Sequence, residues 1–171
     1  MSERAGSGDT IVGWPEWWII AAMASPYESA NLLLTLYDMR REPTMRQARS
    51  WFITFIPDSA DDIGAVLRSE HSAAFRMVTS FWDMAASFVN NGAIDEKMFN
   101  DANAEHIVVF ALIAPVVADH RQKMGQPHYL LQLEQLVMRI PGAKERLAAT
   151  RERFKQMAAA RAAAAAASAR V

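Results

Sequence analysis

Prolines and glycines divide this chain into short stretches, and inside nearly every stretch the apolar side chains return at three- or four-residue intervals. That spacing matches the 3.6-residue turn of an α-helix, not the two-residue alternation of a half-buried strand. The punctuation is equally helical. Ser25-Pro26-Tyr27-Glu28 reads as an N-cap serine, a proline at the first helical position and a capping-box glutamate three residues on. The helix it opens carries Leu32, Leu33 and Leu36, then Met39 or Arg40, and should stop near Arg41 ahead of Pro43.

Pro43 opens a second helix expected to run through Met45, Ala48, Trp51, Phe52 and Phe55 to about Ile56. Ser59 and Asp62 form another capping box before a short helix through Ile63, Val66 and Leu67. A longer helix from about Glu70 places Phe75, Val78, Phe81, Trp82, Ala85, Phe88 and Val89 on one broad face, and Asn90-Asn91-Gly92 ends it. Asp95 caps a short helix through Met98 and Phe99. The next helix is expected from about Ala104 to Met124, stopped by Gly125, with a kink or break near the internal Pro115. Pro127 is expected to begin a helix through Tyr129, Leu130, Leu133, Leu136 and Val137, and a last helix runs from about Lys144 into the alanine run before Ser168.

These readings predict an all-α, single-domain bundle of seven to eight helices. Residues 1–13 are expected to be a flexible leader, 14–140 the helical bundle, and 141–171 a basic, alanine-rich C-terminal helix that packs or projects. From Arg139 onward eight bases stand against two acids, a net +6, which leaves about -7 for the remainder of a chain whose total is -1. Leu147 and Phe154 lie one heptad apart on that last helix, but beyond Met157 its apolar side chains are alanines, which favour helix and bury little area.

Reactive constellations are sparse. With no cysteine there is no disulfide, thiol nucleophile or cysteine zinc site. The residues three before His71, His106, His120 and His128 are Arg68, Asn103, Val117 and Gly125, so the Glu-x-x-His pairs of a carboxylate-bridged metal bundle are absent. Gly6-Ser7-Gly8 lacks the lysine and the preceding strand of a phosphate loop. His106 is read as a hydrogen-bonded histidine at a helix flank, and His120 as one near a helix C-terminus, where its cation is favoured. No catalytic residue, cofactor or metal is assigned. No early apolar stretch reaches the roughly 20 residues of a membrane span, and none has the layout of a signal peptide.

Two groups of residues stand out. Trp14, Trp17 and Trp18 gather large apolar faces with a polar N–H near the N-terminus. Asp83 follows Trp82 on an otherwise apolar helix, while Arg121 and Glu134 lie on consecutive helices, so Arg121 is placed to pair with Glu134 or Asp83 as a register-fixing ion pair.

The middle of the chain resembles a bacterial family of small all-helical domains of unknown function. The matching pieces are Leu32 to Tyr37 (LLLTLY), Met45 to Arg49 (MRQAR), Phe81-Trp82-Asp83, Gly92-Ala93-Ile94-Asp95, Ala114-Pro115, Arg121, Gly125 to Tyr129 (GQPHY) and Glu134-Gln135-Leu136, over roughly residues 30–139. The resemblance implies an all-helical fold and supplies no catalytic residue. Family members commonly carry an N-terminal membrane helix, which this sequence lacks.

The leading expectation is a non-enzymatic protein–protein interaction or scaffold module, a homo-oligomer or subunit of an assembly. It would use Trp14, Trp17 and Trp18 at one end and Leu147 and Phe154 at the other. The first alternative is a small-molecule or lipid-binding domain, an enzyme included, with a pocket near Trp82, Asp83, Arg121 and Tyr129. The second is contact with nucleic acid or an anionic membrane through the basic tail. A cytoplasmic location, or one peripheral to a membrane, accompanies these readings.

Overall fold

A computed structural model describes residues 24–168. Eight α-helices make up the described residues: α1 Pro26–Arg41, α2 Pro43–Phe52, α3 Ala60–Leu67, α4 Ser72–Asn90, α5 Glu96–Ala102, α6 Glu105–Met124, α7 Leu131–Met138 and α8 Ala143–Ser168. No strand occurs among them. The bundle is arranged around α4, which packs against α2, α3, α5, α6 and α7, and α6, which packs against α3, α4, α7 and α8. Among the described residues no single helix is long and apolar enough to cross a membrane.

The capping chemistry works as the residues dictate. Ser25 Oγ accepts from Glu28 N–H at 3.2 Å, and the Glu28 carboxylate accepts from Ser25 N–H at 2.8 Å. Ser59 and Asp62 repeat the exchange at the head of α3, and Asp95 Oδ1 accepts from Met98 N–H at 2.7 Å at the head of α5. Gly125 closes α6 at φ 62°, a left-handed conformation that costs glycine little.

Three boundaries differ from the sequence expectation. Helix α2 ends at Phe52 rather than near Ile56. There the Thr54 hydroxyl bonds back to Trp51 O at 2.6 Å, while Thr54 N–H and Phe55 N–H take carbonyls three residues earlier, and Pro57 disfavours helix at Ile56. Pro115 does not break α6, which runs uninterrupted from Glu105 to Met124. The Arg151 side chain from α8 donates to the Leu112 carbonyl beside the proline, and to Pro57 O at 2.6 Å and Asp58 Oδ1 at 3.0 Å. Pro127 begins a turn instead of a helix, and α7 starts only at Leu131, after Leu130 has taken φ 54°.

Leu130 is the N-cap of α7 and has no side-chain acceptor to offer. Asp83, on α4, substitutes for it: its Oδ1 accepts from Leu133 N–H at 2.9 Å, and the Gln132 amide also stabilises the carboxylate. Asn90 adds a second tie, donating to Gln132 O at 3.0 Å. A residue fifty positions away in sequence therefore caps α7 and locks it onto α4.

Helix α6 is buried on nearly every side in its first half, at Ile107, Val109, Phe110, Leu112 and Ile113, and keeps Val116 and Val117 buried beyond it. Its Glu105 is held by two arginines: Arg40 from α1 at 2.6 Å and Arg49 from α2 in a bidentate contact. Burial alone would raise the Glu105 carboxyl, but the Arg49 hydrogen bonds and the two guanidinium charges outweigh it and hold the group below its ordinary value. The neighbouring His106 is fully buried between Trp82 and Phe99, with ring centroids 5.9 and 5.0 Å away. Contrary to the expectation of a hydrogen-bonded flank histidine, neither ring nitrogen has a partner among the described residues.

Two measurements follow. Burial, with the Arg146 charge adding to it, depresses the His106 pKa from 6.5 to about 4. This is a base whose folded pKa lies below its unfolded one, so protons favour the unfolded chain. Its contribution is fully present above about pH 6.5 and is lost as the pH falls towards 4, by about 2 kcal/mol at pH 4.5. Urea unfolding of wild type and His106→Phe at pH 7.5 and 4.5 should show the wild type losing that much more than the variant; equal losses would remove His106 from the acid response. Separately, Asp83→Ala should lower stability by about 1–2 kcal/mol and Asp83→Asn by less, because only alanine leaves the α7 amides without an acceptor. Denaturant midpoints check the order.

Candidate functional site

Residues Phe75, Thr79 and Asp83 stand at four-residue spacing and share one face of α4. That face looks onto the last two turns of α6, at His120 and Met124, and onto the turn that carries Gln126, His128, Tyr129 and Leu130. Between them lies a half-enclosed cavity of about 490 Å³, closed on another side by Leu67 and bordered by Arg76 and Ser80. Its size falls in the range of small-molecule sites.

The turn is held in place from behind. Arg121 Nε donates to Tyr129 O at 2.8 Å and its Nη1 to Glu134 Oε2 at 2.6 Å, while Gln126 N–H donates to Arg121 O at 3.0 Å. One guanidinium thus joins α6, the turn and α7. With Asp83 capping α7 from the opposite wall, the cavity is framed by two polar anchors.

The electrostatics of the lining follow from burial. Asp83 is raised above its ordinary value chiefly by desolvation, opposed by the Leu133 and Gln132 amides and by the Arg121 charge. Desolvation pushes Tyr129 up to about 12; the Thr79 hydroxyl opposes the rise and the Asp83 charge assists it. His120 is lowered by burial, against the pull of Asp119. At neutral pH the phenol and the imidazole are therefore uncharged. The Tyr129 hydroxyl is buried without a hydrogen-bond partner among the described residues, and the His120 ring meets the Tyr129 ring edge-on at 5.1 Å. The arrangement offers donors and acceptors at an apolar wall. It contains no nucleophile paired with a base, and no group of three His, Asp or Glu side chains among the described residues is placed to hold a metal ion.

Of the residues singled out in the sequence, Asp83 and Tyr129 line this cavity, and Arg121 and Glu134 brace it from outside. Trp82 does not reach it. One residue along α4 from Asp83, it faces the core, 1% exposed, beside Phe81, Phe99 and His106, with the Arg40 guanidinium 5.1 Å from its ring centroid. Leu147 is buried against the chain's own helices and Phe154 is half-buried. Trp14, Trp17 and Trp18 lie outside the described residues. Sequence reasoning missed Thr79 and Arg76 on the cavity wall, although their spacing from Phe75 and Asp83 carries the signal.

A second kind of surface is apolar and convex. Helix α1 buries Ser29 and Leu36 and packs Leu32 and Leu33 against the core, yet Tyr27, Leu34 and Tyr37 stand 75%, 64% and 54% exposed on its outer side. At its C-terminal end a groove of about 670 Å³, which adjoins the cavity at Ser80, is lined by Met39, Met45, Met77, Phe81 and Met84. On α8 the first turns pack on α6, whereas residues 159–168 are exposed throughout.

Comparison with known proteins gives one match. The family model described as a domain of unknown function, DUF4760, covers residues 27–140, from the first turn of α1 to just past α7. No curated protein and no solved structure matches the chain. The family span takes in both walls of the cavity and the outer face of α1, and it covers more than half of the sequence. The chain belongs to the DUF4760 family, whose members are defined as domains of unknown function.

Proposed function

We propose that this domain is a non-enzymatic interaction module that self-associates through the outer face of α1. The observation that carries the reading is that α1 is apolar on both sides. A surface helix of a lone bundle needs one apolar stripe, facing the core. Here Ser29, Leu32, Leu33 and Leu36 provide it, and Tyr27, Leu34 and Tyr37 form a second stripe that stays exposed.

A second copy of the same helix, running antiparallel, suits this face. The Glu28 carboxylate is taken up by the Ser25 cap, so the pairing of two copies rests on the apolar side chains, with Arg41 at the end of the stripe. The Arg41 guanidinium already lies 5.8 Å from the Tyr37 ring centroid, which keeps the charge at the edge of the stripe. A stable interface needs about 800 Å² from each partner, more than one three-residue stripe supplies. The sequence expectation assigns Trp14, Trp17 and Trp18 to such a contact; they lie outside the described residues and would have to supply the remaining area.

Sedimentation equilibrium of the full chain over a micromolar-to-millimolar series tests this. The wild type should form dimers, and Leu34→Glu or Tyr37→Glu should weaken them by roughly 30-fold or more, as expected for the centre of an interface. A wild-type monomer over the whole series would overturn the proposal. If, in such a monomer, Leu34→Glu shifted the tryptophan emission to the red, the chain's own N-terminal residues would be the occupant of the face instead.

A further inference from the structure

We propose that the cavity between α4, the end of α6 and the 125–130 turn binds a small amphipathic carboxylate, with its apolar body inside and its carboxylate at the mouth. This site is separate from the α1 face and does not rest on it.

The lining sets the ligand's body. Phe75 and Leu130 are buried at the floor, and Leu67 and Met124 supply further apolar wall. Of the polar groups inside, the Asp83 carboxylate is already engaged by the α7 amides and faces the Arg121 charge. The Tyr129 hydroxyl is wholly buried beside the Thr79 hydroxyl, so it stiffens the wall, and the hydrogen-bonding groups open to a ligand are those of the rim. His120 shares the wall. These are features of a site for a molecule with a mostly apolar body that meets one or two hydrogen-bonding groups.

The charges set the ligand's direction. Arg76 is exposed at the cavity border and forms no ion pair among the described residues, with the exposed Gln126, His128 and Ser80 completing the rim. A guanidinium at the entrance recognises a carboxylate. Asp83 inside repels one, so a carboxylate cannot enter head first and must remain at the mouth. A cation would meet the opposite arrangement, with Arg76 opposing its approach.

Isothermal titration of the full chain with octanoate, and with octylamine as its cationic counterpart, tests the assignment. Octanoate should bind saturably, and octylamine roughly tenfold more weakly or not at all. Arg76→Glu should weaken octanoate by roughly tenfold or more. Gln126→Trp, which places a bulky ring at the rim while keeping the backbone bond to Arg121, should abolish binding. Met39→Gln, in the methionine groove, should leave it unchanged. Absence of saturable octanoate binding, preference for octylamine, survival of binding in Gln126→Trp or loss of it in Met39→Gln would each overturn the proposal. Circular dichroism of each variant confirms that the helices persist.

Discussion

Helix α6 is buried on nearly every side from His106 to Ile113 and keeps a buried face through Val116, Val117 and His120, and that burial governs the rest of the bundle. A helix in such a position cannot leave its polar groups to water, so other helices must answer them. At its start, Glu105 draws in Arg40 from α1 and Arg49 from α2. Near its middle, Arg151 reaches in from α8 to the Leu112 carbonyl. Near its end, Arg121 ties the following turn and α7 together through Tyr129 O and Glu134. Each tie fixes a different neighbouring helix against α6. The packing order of the bundle is in this sense a list of the groups that α6 could not leave unpaired. Both His106 ring nitrogens and Nη2 of Arg121 stay buried without a partner among the described residues, and for His106 burial appears as a strongly depressed pKa.

Local chemistry was the legible part of this fold. Capping boxes at Ser25/Glu28 and Ser59/Asp62, the Asp95 cap and the Gly125 stop are exchanges between residues three or four apart, so reading them requires no knowledge of the rest of the chain. The misread boundaries were those decided at long range. Pro127 has the context of a helix start, but the chain turns there, Leu130 takes a left-handed conformation, and Asp83, on another helix, receives the α7 amides. Pro115 has the signature of a break, yet the buried guanidinium of Arg151 lies against that part of α6. Both cases are tertiary contacts overriding a sound local rule.

The same division applies to the site. Asp83, Arg121, Glu134 and Tyr129 were conspicuous because charged or polar residues in apolar helical stripes demand an explanation. Their roles were not visible, since that depends on which side of each helix meets which neighbour. Trp82 and Asp83 are adjacent in sequence and diverge by about 100° around α4, so one enters the aromatic core and the other the cavity. Thr79 and Arg76 escaped notice for the opposite reason: threonine and arginine on a helix surface are ordinary until a concave wall forms opposite them.

The cavity and the outer face of α1 differ in how their exposure is maintained. The α1 stripe is a surface that folding leaves over: its residues contribute nothing to the core, and removing their side chains should barely disturb the bundle. The cavity is built at a cost. A leucine in a left-handed conformation opposes folding, by about 1–3 kcal/mol in general experience, and the Tyr129 hydroxyl is buried beside the Thr79 hydroxyl without a hydrogen bond of ordinary geometry among the described residues. What the turn does achieve is to hold Tyr129 and His120 facing Asp83 across an open space, with Arg76 at its entrance. The strained Leu130 is itself buried in the core, so the turn's conformation serves packing and orders the polar wall together.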